Sequence, residues 1–409
     1  MSRIKSIFHI VTCFVLFCGC TEDSIINQGN PSKPIALTRS EADCNDAARE
    51  FAFDLLKIVD EQESGKAYFF SPLSLDFTLG LLASGAEGET LQSICDVLGM
   101  NDIDVLNSYS KKLLEDLPLS DKKTTLELAN LALFNHDIEV KENYRKTIEN
   151  NYKSLVKKVN FKDDNTITFI NNWISDKTKG TLNNVIDQSF LSAQAYFVLT
   201  NAMYFKGTWS QKSLFETVRK EEFNRDGKQS IMVDMMTSTM PLDYFGCDNY
   251  TMLKLPYGNR SFTMNIILPD PGRTVSDIIP NVKKTITSGL GSVSPRQTKL
   301  VKIPKFKGSF HLDIRETLDN LGVKLDKSNF NNMFINHTGD GNAIIINSWQ
   351  DGYIEVNEKG TEASSTTVIA GMSMPSLPNE EFIADRPFLY MIMEESTGAI
   401  LFIGKYTGE

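Results

Sequence analysis

The chain has 409 residues, of which 41% are hydrophobic and 10% aromatic; this is enough apolar surface for a large core and excludes global disorder. The formal net charge of −10 argues against nucleic acid or an anionic membrane surface as a partner. Beyond the first twenty residues only Cys44, Cys95 and Cys247 remain, with neither a disulfide framework nor metal-ligand spacing. We therefore expect no metal and no other cofactor.

The N-terminal residues resemble an export signal. Two basic residues precede an apolar run, Ile7 to Phe17, that is too short to span a membrane. A small residue before Cys20 resembles the end of a bacterial lipoprotein signal, which implies a signal peptide over residues 1–19 and lipidation of Cys20. The polar stretch that follows predicts a tether over residues 20–40. The resemblance implies an exported protein that is lipid-anchored to the cell envelope, at the outer membrane or its exposed surface. The alternative is an ordinary signal peptide and an extracellular protein.

Apolar residues at helical spacing dominate the first half of the folded region, and alternating strands dominate the second. The predicted helices are Asp43–Asp60, Ser74–Ser84, Thr90–Leu98, Ile103–Leu117, Asn143–Asn150, Asn165–Lys179 and Leu312–Leu321. The predicted strands are Thr124–Phe134, Ala195–Phe205, Phe245–Tyr257, Phe262–Leu268, Lys299–Pro304, Ala343–Ser348, Phe388–Glu394 and Ile400–Tyr406. Because composition never breaks, we predict a single α+β domain over residues 41–409.

Residues 355–371 form the most informative stretch. It begins with apolar/acidic alternation, turns at Gly360 and continues through small and β-branched residues. This composition is typical of neither a helix nor a disordered linker. It predicts a strand held outside its sheet.

Four motifs in order resemble one family, the serpins. Phe69–Ser74 resembles the segment that enters the second serpin helix, and Asn201–Trp209 the central strand and its exit. Glu358–Ala363 resembles the serpin hinge, and Ala384–Phe388 the C-terminal signature. The chain is identified by this resemblance as a serpin over about residues 41–408.

The resemblance implies a fold of three β-sheets and about nine helices, with an exposed reactive-centre loop at about residues 359–383. It implies an inhibitor rather than an enzyme, acting as a monomer. A target protease cleaves the loop and stays covalently attached as an acyl-enzyme, while the loop inserts as an extra strand into the main sheet. The only membrane contact expected is the lipid anchor.

The hinge composition suits such an insertion. The hinge residues are Glu358, Gly360, Thr361, Glu362, Ala363, Ser364 and Ser365. Alternate side chains from Thr361 onward would enter the sheet interior, and all but Ile369 of them are small: Thr361, Ala363, Ser365, Thr367, Ile369 and Gly371. The sequence therefore predicts a loop that can insert.

Other residues match family elements that control sheet opening. Ser71, Ser74 and Asn201 fall at a polar cluster beneath the central strands, where Gln350 stands in place of the usual His. Gln does not titrate, so we expect different pH behaviour. Glu358 and Lys305 match an ion pair where the loop first enters, with Trp209 packed nearby. Plain structural support is the alternative role for each.

The scissile bond stays open among several candidates. Family spacing from Gly360 indicates Met374–Pro375, but most serine proteases cleave before proline poorly. Met372–Ser373 is favoured, Ser373–Met374 is one residue short, and counting back from the C-terminal signature suggests Ser376–Leu377. The absence of Lys and Arg between Lys359 and Arg386 predicts chymotrypsin-, elastase- or subtilisin-like targets rather than trypsin-like ones. Cysteine proteases are a further possible target class.

The competing function is a non-inhibitory member of the same fold that acts as a binding or chaperone-like surface lipoprotein. Charged, bulky or proline residues in the hinge would favour it, and this hinge has none of the bulky or proline type. A hydrolase is disfavoured, because His136, His311 and His337 lie in no nucleophile or metal motif.

Overall fold

A computed structural model of the protein describes residues 30–187, 191, 195–289, 294–325, 329–335, 349–361 and 381–408. This part of the chain contains eight α-helices and one short 3-10 helix, Leu117–Leu119. The α-helices are α1 (Arg39–Gln62), α2 (Pro72–Gly85), α3 (Gly88–Leu98), α4 (Ile103–Asp116), α5 (Glu142–Tyr152), α6 (Asp164–Lys177), α7 (Val275–Ser288) and α8 (Ile314–Leu321). None of the helices in these ranges is long and apolar enough to cross a membrane.

Seventeen strands form three sheets. The strands are β1 (Tyr68–Phe70), β2 (Thr124–Asn135), β3 (Leu155–Val159), β4 (Phe197–Thr208), β5 (Thr217–Phe223), β6 (Ile231–Ser238), β7 (Asp243–Cys247), β8 (Tyr250–Pro256), β9 (Phe262–Pro269), β10 (Arg296–Gln297), β11 (Leu300–Pro304), β12 (Phe306–Asp313), β13 (Trp349–Asn357), β14 (Gly360–Thr361), β15 (Glu381–Ile383), β16 (Phe388–Glu394) and β17 (Ile400–Tyr406). The seven-stranded sheet has the order β1-β17-β16-β9-β8-β7-β10, the four-stranded sheet β15-β11-β6-β5 and the six-stranded sheet β12-β13-β14-β4-β2-β3. The predicted α+β architecture with three sheets is confirmed.

The predicted helices of the first half are confirmed, with bounds that differ by a few residues. Local capping explains where two of them begin. Thr38 and Glu41 form a reciprocal capping box at the start of α1. Ser71 caps α2, whose first residue is Pro72, where the missing N–H has no cost.

Two predicted elements are wrong in detail. The single strand Phe245–Tyr257 is two strands, β7 and β8, because the chain reverses at Asn249, which has a φ of 70°. Asn tolerates this left-handed conformation better than most residues. The predicted helix Leu312–Leu321 begins only at Ile314, since the two preceding residues pair with β13. The predicted strand Ala343–Ser348 lies outside the described residues.

The predicted tether over residues 20–40 is also too long. Residues 20–29 lie outside the described ranges, but the following residues contact the domain. The backbone N–H of Ile35 donates to Ser396 Oγ at 2.9 Å, and the Asn30 side chain donates to Asp121 at 2.7 Å. Composition alone missed this, because an Asn- and Pro-rich segment can dock through hydrogen bonds without a run of apolar residues.

The six-stranded sheet is covered by apolar residues on both faces. On β2, Leu131 and Leu133 contact a cluster that includes Trp173 and Ile174 of α6. The alternate residues of the same strand, Ala132 and Phe134, point to the opposite face and contact the main core. The period-two alternation of a strand therefore separates two cores, and α6 lies across the outer face of the sheet.

A buried carboxyl on α2 lowers stability at neutral pH. Asp76 is 3% exposed, and burial raises its pKa from 3.8 to about 7. No hydrogen-bond partner of its Oδ2 atom is found in the described structure. Between pH 3.8 and 7 the unfolded chain loses this proton while the folded protein keeps it, so this group makes the free energy of unfolding fall as pH rises through that window.

We expect Asp76→Asn to be more stable than the wild type at pH 7.5, by an amount on the order of a few kcal/mol, because a neutral amide needs no ionisation in the core. The advantage should shrink as pH approaches 4. Thermal unfolding of both proteins between pH 4 and 8 measures it. If the unfolding temperatures of the two proteins differed by the same amount at every pH in this range, Asp76 would not titrate as its burial indicates.

Candidate functional site

The first part of the predicted hinge is already a strand of the six-stranded sheet. Gly360 and Thr361, which form β14, lie between β13 and β4. Thr361 is opposite Val356 on β13 and opposite Gly207 on β4. The expectation that residues 355–371 form a strand held outside the sheet is therefore wrong for residues 355–357 and 360–361. Residues 362–371 lie outside the described ranges.

Only glycine fits at position 360. Gly360 has a φ of 144°, which side-chain-bearing residues rarely adopt. A Cβ atom there would lie 2.0 Å from the Gly207 carbonyl oxygen and 2.7 Å from the Thr208 Cα atom. The absence of a side chain thus lets the hinge enter the sheet beside β4.

Thr361 is held from the interior of the molecule. Its side chain is 3% exposed, and its hydroxyl lies 2.6 Å from the Tyr257 hydroxyl. The Tyr257 ring stacks on Trp209 at a centroid distance of 4.7 Å. The Trp209 indole N–H donates to the Asn357 carbonyl at 3.0 Å. The predicted position of Trp209 beside the hinge thus corresponds to direct contact with the turn between β13 and β14.

An ion pair joins the hinge to the end of β11. Lys305 Nζ lies 2.9 Å from Glu358 Oε2, and both side chains are partly exposed. Burial alone would raise the pKa of Glu358, but the hydrogen bond and charge of Lys305, together with a backbone hydrogen bond and the charge of Lys359, outweigh it, and the pKa lies below 4.5. The structure therefore brings together the two residues that the sequence analysis paired.

Within the described residues, a gap separates β4 from β13 beyond Thr361. In the described structure β13 pairs with β12 and β14, and β4 pairs with β14 and β2, but β4 and β13 do not pair with each other. A cavity lies between these strands, with Thr361 at one end. Other residues that line it include Ser71, Ser74, Thr178, Thr181, Leu182, Asn201, Met203, Phe205, Gln350 and Ile354. The gap is a slot bounded on both sides by strand edges.

A polar cluster at the N-terminus of α2 ties both edges of this slot. From β13, Gln350 accepts from the Ser71 N–H at 2.6 Å and donates to the Ser71 carbonyl at 3.0 Å. From β4, Asn201 accepts a short hydrogen bond from the Ser74 hydroxyl. The Ser74 N–H donates to Ser71 Oγ at 3.1 Å. Gln350 therefore completes the cluster with two hydrogen bonds, although it stands where a His is usual in the resembling family.

The sequence analysis missed two residues of this hydrogen-bond network, Asn130 and Tyr152. Asn201 Nδ2 donates to Asn130 Oδ1 on β2 at 2.7 Å, and Asn130 in turn donates to the Tyr152 carbonyl at 2.7 Å. Asn130 is a buried polar residue within a predicted apolar strand, and that was a signal. Its partner depends on the pairing of Asn130 with Asn201, which no local pattern predicts.

The remaining predicted site residues are not described. Glu362, Ala363, Ser364 and Ser365 lie outside the described ranges, as do the candidate bonds over residues 372–377 and Cys20. At the far end of the predicted reactive loop, Glu381–Ile383 forms β15 and pairs in parallel with β11. The interval 359–383 therefore begins with a turn residue and the short strand β14 and ends with the strand β15.

Comparison with known proteins agrees with this geometry. The profile of the family described as Serpin (serine protease inhibitor) matches residues 46–408, and the chain belongs to the serpin family. A serine protease inhibitor of Cyanea capillata is 31% identical over 348 residues, covering 82% of this chain and 90% of that protein. The leukocyte elastase inhibitor of Xenopus laevis is 29% identical over 373 residues, covering 88% and 98%. The structure of Serpin48 from the insect Tenebrio molitor, 26% identical, superposes with a TM-score of 0.76 and covers 90% of this chain and 98% of that one. Most serpins are protease inhibitors, and such proteins are not catalytic enzymes.

We expect Gly360→Ala to expel the hinge from the sheet, because the new methyl group meets backbone atoms of β4 that cannot move aside. Hydrogen exchange of the amides in residues 355–361 should rise about tenfold or more, given a strain of roughly 1–3 kcal/mol. Gly308→Ala is the matched control, since Gly308 lies in β12 of the same sheet and no heavy atom is within 4 Å of its added Cβ. Equal hinge exchange in the two variants would contradict the close contact.

For the ion pair, Glu358→Gln should lower the unfolding midpoint at pH 7. The lowered pKa means that the pair stabilises the fold above pH 4.5 and that this contribution disappears as pH falls through the lower folded pKa. Since both side chains are partly exposed, the effect should be about 1 kcal/mol or less. Unfolding curves at pH 3.5 and 7, with Lys305→Met and the double variant, isolate the pair. A coupling energy between Glu358 and Lys305 of the same size at pH 3.5 and pH 7 would contradict a stabilising ion pair.

Proposed function

We propose that this serpin is a suicide inhibitor of serine proteases. The target cleaves the reactive loop and remains attached as an acyl-enzyme, and the free end of the loop inserts between β13 and β4. The observation that carries the proposal is the position of Gly360 and Thr361, which are paired with both β13 and β4 at one end of the gap between these strands in the described structure. A two-residue strand that is paired on both sides is a nucleus from which strand addition can proceed.

The register of β14 supports the inserted arrangement. Continued pairing would oppose each later loop residue to one residue earlier on β13 and on β4. Thr367 would then face Gln350 on one side and Asn201 on the other, level with the polar cluster. Gly371 would face Phe197, the first residue of β4. The favoured bond, Met372–Ser373, directly follows the last position that β4 can pair, and Met374–Pro375 lies two residues beyond.

The side chains on the inserting face fit this register. Directly opposed residues of neighbouring strands point to the same face of the sheet. Ala363 would oppose Phe205, which is 7% exposed, whereas Glu362 would oppose Lys206, which is exposed. Insertion would therefore place the small residue in the core and the charged residue beside a lysine in solvent.

The residues of the loop favour particular targets. No Lys or Arg lies between Lys359 and Arg386, so the loop offers nothing to the acidic pocket of a trypsin-like enzyme. We propose chymotrypsin-, elastase- or subtilisin-like serine proteases, and cysteine proteases as a further class. The similarity to a leukocyte elastase inhibitor supports this direction.

The location of the protein is proposed from its N-terminal residues alone. We propose residues 1–19 as a lipoprotein signal and Cys20 as the lipidated residue, with the protein held at the outer membrane or its exposed surface. The inhibitor would act there as a monomer, and the folded domain would meet the membrane only through its anchor. Palmitate labelling of wild type and Cys20→Ala in a bacterial host tests this part separately.

Incubation with elastase and with chymotrypsin tests the inhibitory mechanism. We expect a complex that survives SDS electrophoresis, and a cleaved form with a higher unfolding temperature, because insertion completes the sheet. Trypsin should give no complex. Mass spectrometry of the released C-terminal peptide identifies the cleaved bond. Cleavage without any complex by every protease tried would refute inhibition and favour a non-inhibitory binding role.

A pair of variants separates insertion from mere loop cleavage. Ala363→Glu would bury a charge against Phe205, which costs several kcal/mol. We expect normal cleavage but at least about a tenfold loss of complex, since insertion slows while deacylation does not. The exchange Glu362→Ala is the control, because it removes the same side chain from the opposite face. Full complex formation by Ala363→Glu would contradict the inward orientation of this position.

A further inference from the structure

A short N-terminal segment, residues 30–35, lies outside the family match yet is joined to the domain by buried hydrogen bonds. The match begins at residue 46. The Asn30 side chain is 9% exposed. Its Nδ2 donates to Asp121 Oδ1 at 2.7 Å, and its Oδ1 accepts from the Lys122 N–H at 3.1 Å. Asn30 therefore uses both ends of its amide against the residues that precede β2.

Asp121 links Asn30 to the turn between β8 and β9, because its carboxylate binds both. It is 1% exposed, and its Oδ2 accepts from the Asn259 N–H at 3.3 Å and from the Thr124 hydroxyl at 2.7 Å. The carboxylate also lies so close to Gly258 that a Cβ there would be 1.8 Å from Oδ2. The turn is thus fitted around Asp121, with glycine where the two meet.

The N-terminal segment also contacts this turn directly. The Pro31 carbonyl accepts from Asn259 Nδ2 at 3.3 Å, and the Ser32 hydroxyl lies 3.1 Å from the Ser261 hydroxyl. Asn259 and Ser261 are each 2% exposed. Two independent routes therefore fasten residues 30–32 to one buried turn.

The same turn carries the support of the hinge. Tyr257 begins it and holds the Thr361 hydroxyl at 2.6 Å, while the Gly258 N–H donates to the Thr208 carbonyl at 2.9 Å. Thr208 is the β4 residue opposite Gly360. The connection thus runs from Asn30 through Asp121 and the turn to both residues of β14.

We infer that residues 30–35 are a positioning element for the hinge: they hold the Tyr257–Ser261 turn, and so keep Thr361 seated at the entrance of the slot. The inference about seating rests on the structure, and its effect on inhibition rests on the proposed function. Loss of residues 30–35 would weaken the contacts that hold Thr361 between β13 and β4. A cleaved loop would then begin to insert from a less ordered hinge.

Hydrogen exchange of the intact native protein tests the seating without any protease. We expect Asn30→Ala to raise exchange of the amides in residues 355–361 about tenfold, the effect of losing roughly one net hydrogen bond. Lys33→Ala, an exposed position in the same segment, is the matched control and should leave hinge exchange unchanged. Faster exchange confined to residues 119–124, with the hinge unaffected, would overturn the inference.

A double-mutant cycle distinguishes this route from general destabilisation. Tyr257→Phe removes only the hydroxyl that contacts Thr361. If Asn30 acts through the turn, Asn30→Ala should raise hinge exchange by less in the Tyr257→Phe background than in the wild type, because only the contact of Gly258 with Thr208 is then left to lose. Independent, additive effects would overturn the inference.

With elastase, Asn30→Ala should also yield more cleaved serpin per complex. A wild type that forms no complex refutes the inhibitory function, while the exchange result still decides the inference.

Discussion

The arrangement of the described residues depends on a gap between two strands, β4 and β13, of the six-stranded sheet. Their facing edges border a cavity and, among the residues that the structure describes, pair only with the two residues of β14. A strand of about ten residues inserted there would form about twenty backbone hydrogen bonds, one from each N–H and one to each carbonyl, with a net gain of at least about 10 kcal/mol. That gain is comparable to the whole stability of an ordinary domain. Under the proposed function, this gap in the described sheet is the place for a further stabilising strand, and the neighbouring residues hold β4 and β13 in position until that strand inserts.

The polar cluster around Ser71 contributes to this positioning of β4 and β13. Gln350 and Asn201 project from the two edges of the slot and bind the N-terminus of α2 on a level that an inserted Thr367 would share. A hydroxyl at that level can offer hydrogen bonds of its own, so opening need not leave the amides unpartnered. Because Gln350 does not titrate, its two hydrogen bonds with Ser71 do not depend on the protonation of the side chain at position 350. Asp76, further along the same helix, is the titrating group that affects the stability of α2 near neutrality.

Local patterns predicted much of this molecule, and pairing between distant residues decided the rest. Capping residues and apolar spacing located α1 and α2 within a few residues, whereas the suitability of the small residues after Gly360 for insertion stays a prediction. The division of Phe245–Tyr257 into two strands depended on a left-handed Asn249, which a strand pattern does not reveal. Asn130 and Asn30 were missed because each has partners far along the chain.

The pairing of Gly360 and Thr361 with β4 and β13 also determines the register in which a following strand would insert. Side chains alternate between the two faces of a sheet, so a slip of one residue during insertion would turn Glu362 and not Ala363 toward the buried Phe205. A loop with small residues at most positions has little intrinsic preference for one register. Gly360 against Thr208 and Thr361 against Gly207 fix the pairing before insertion begins, and the Tyr257 hydroxyl fixes which face Thr361 presents. Under the proposed function, an insertion that started from this pairing would keep one alternation of side chains between the two faces, and this alternation leaves Glu362, the single charge of the segment, in solvent.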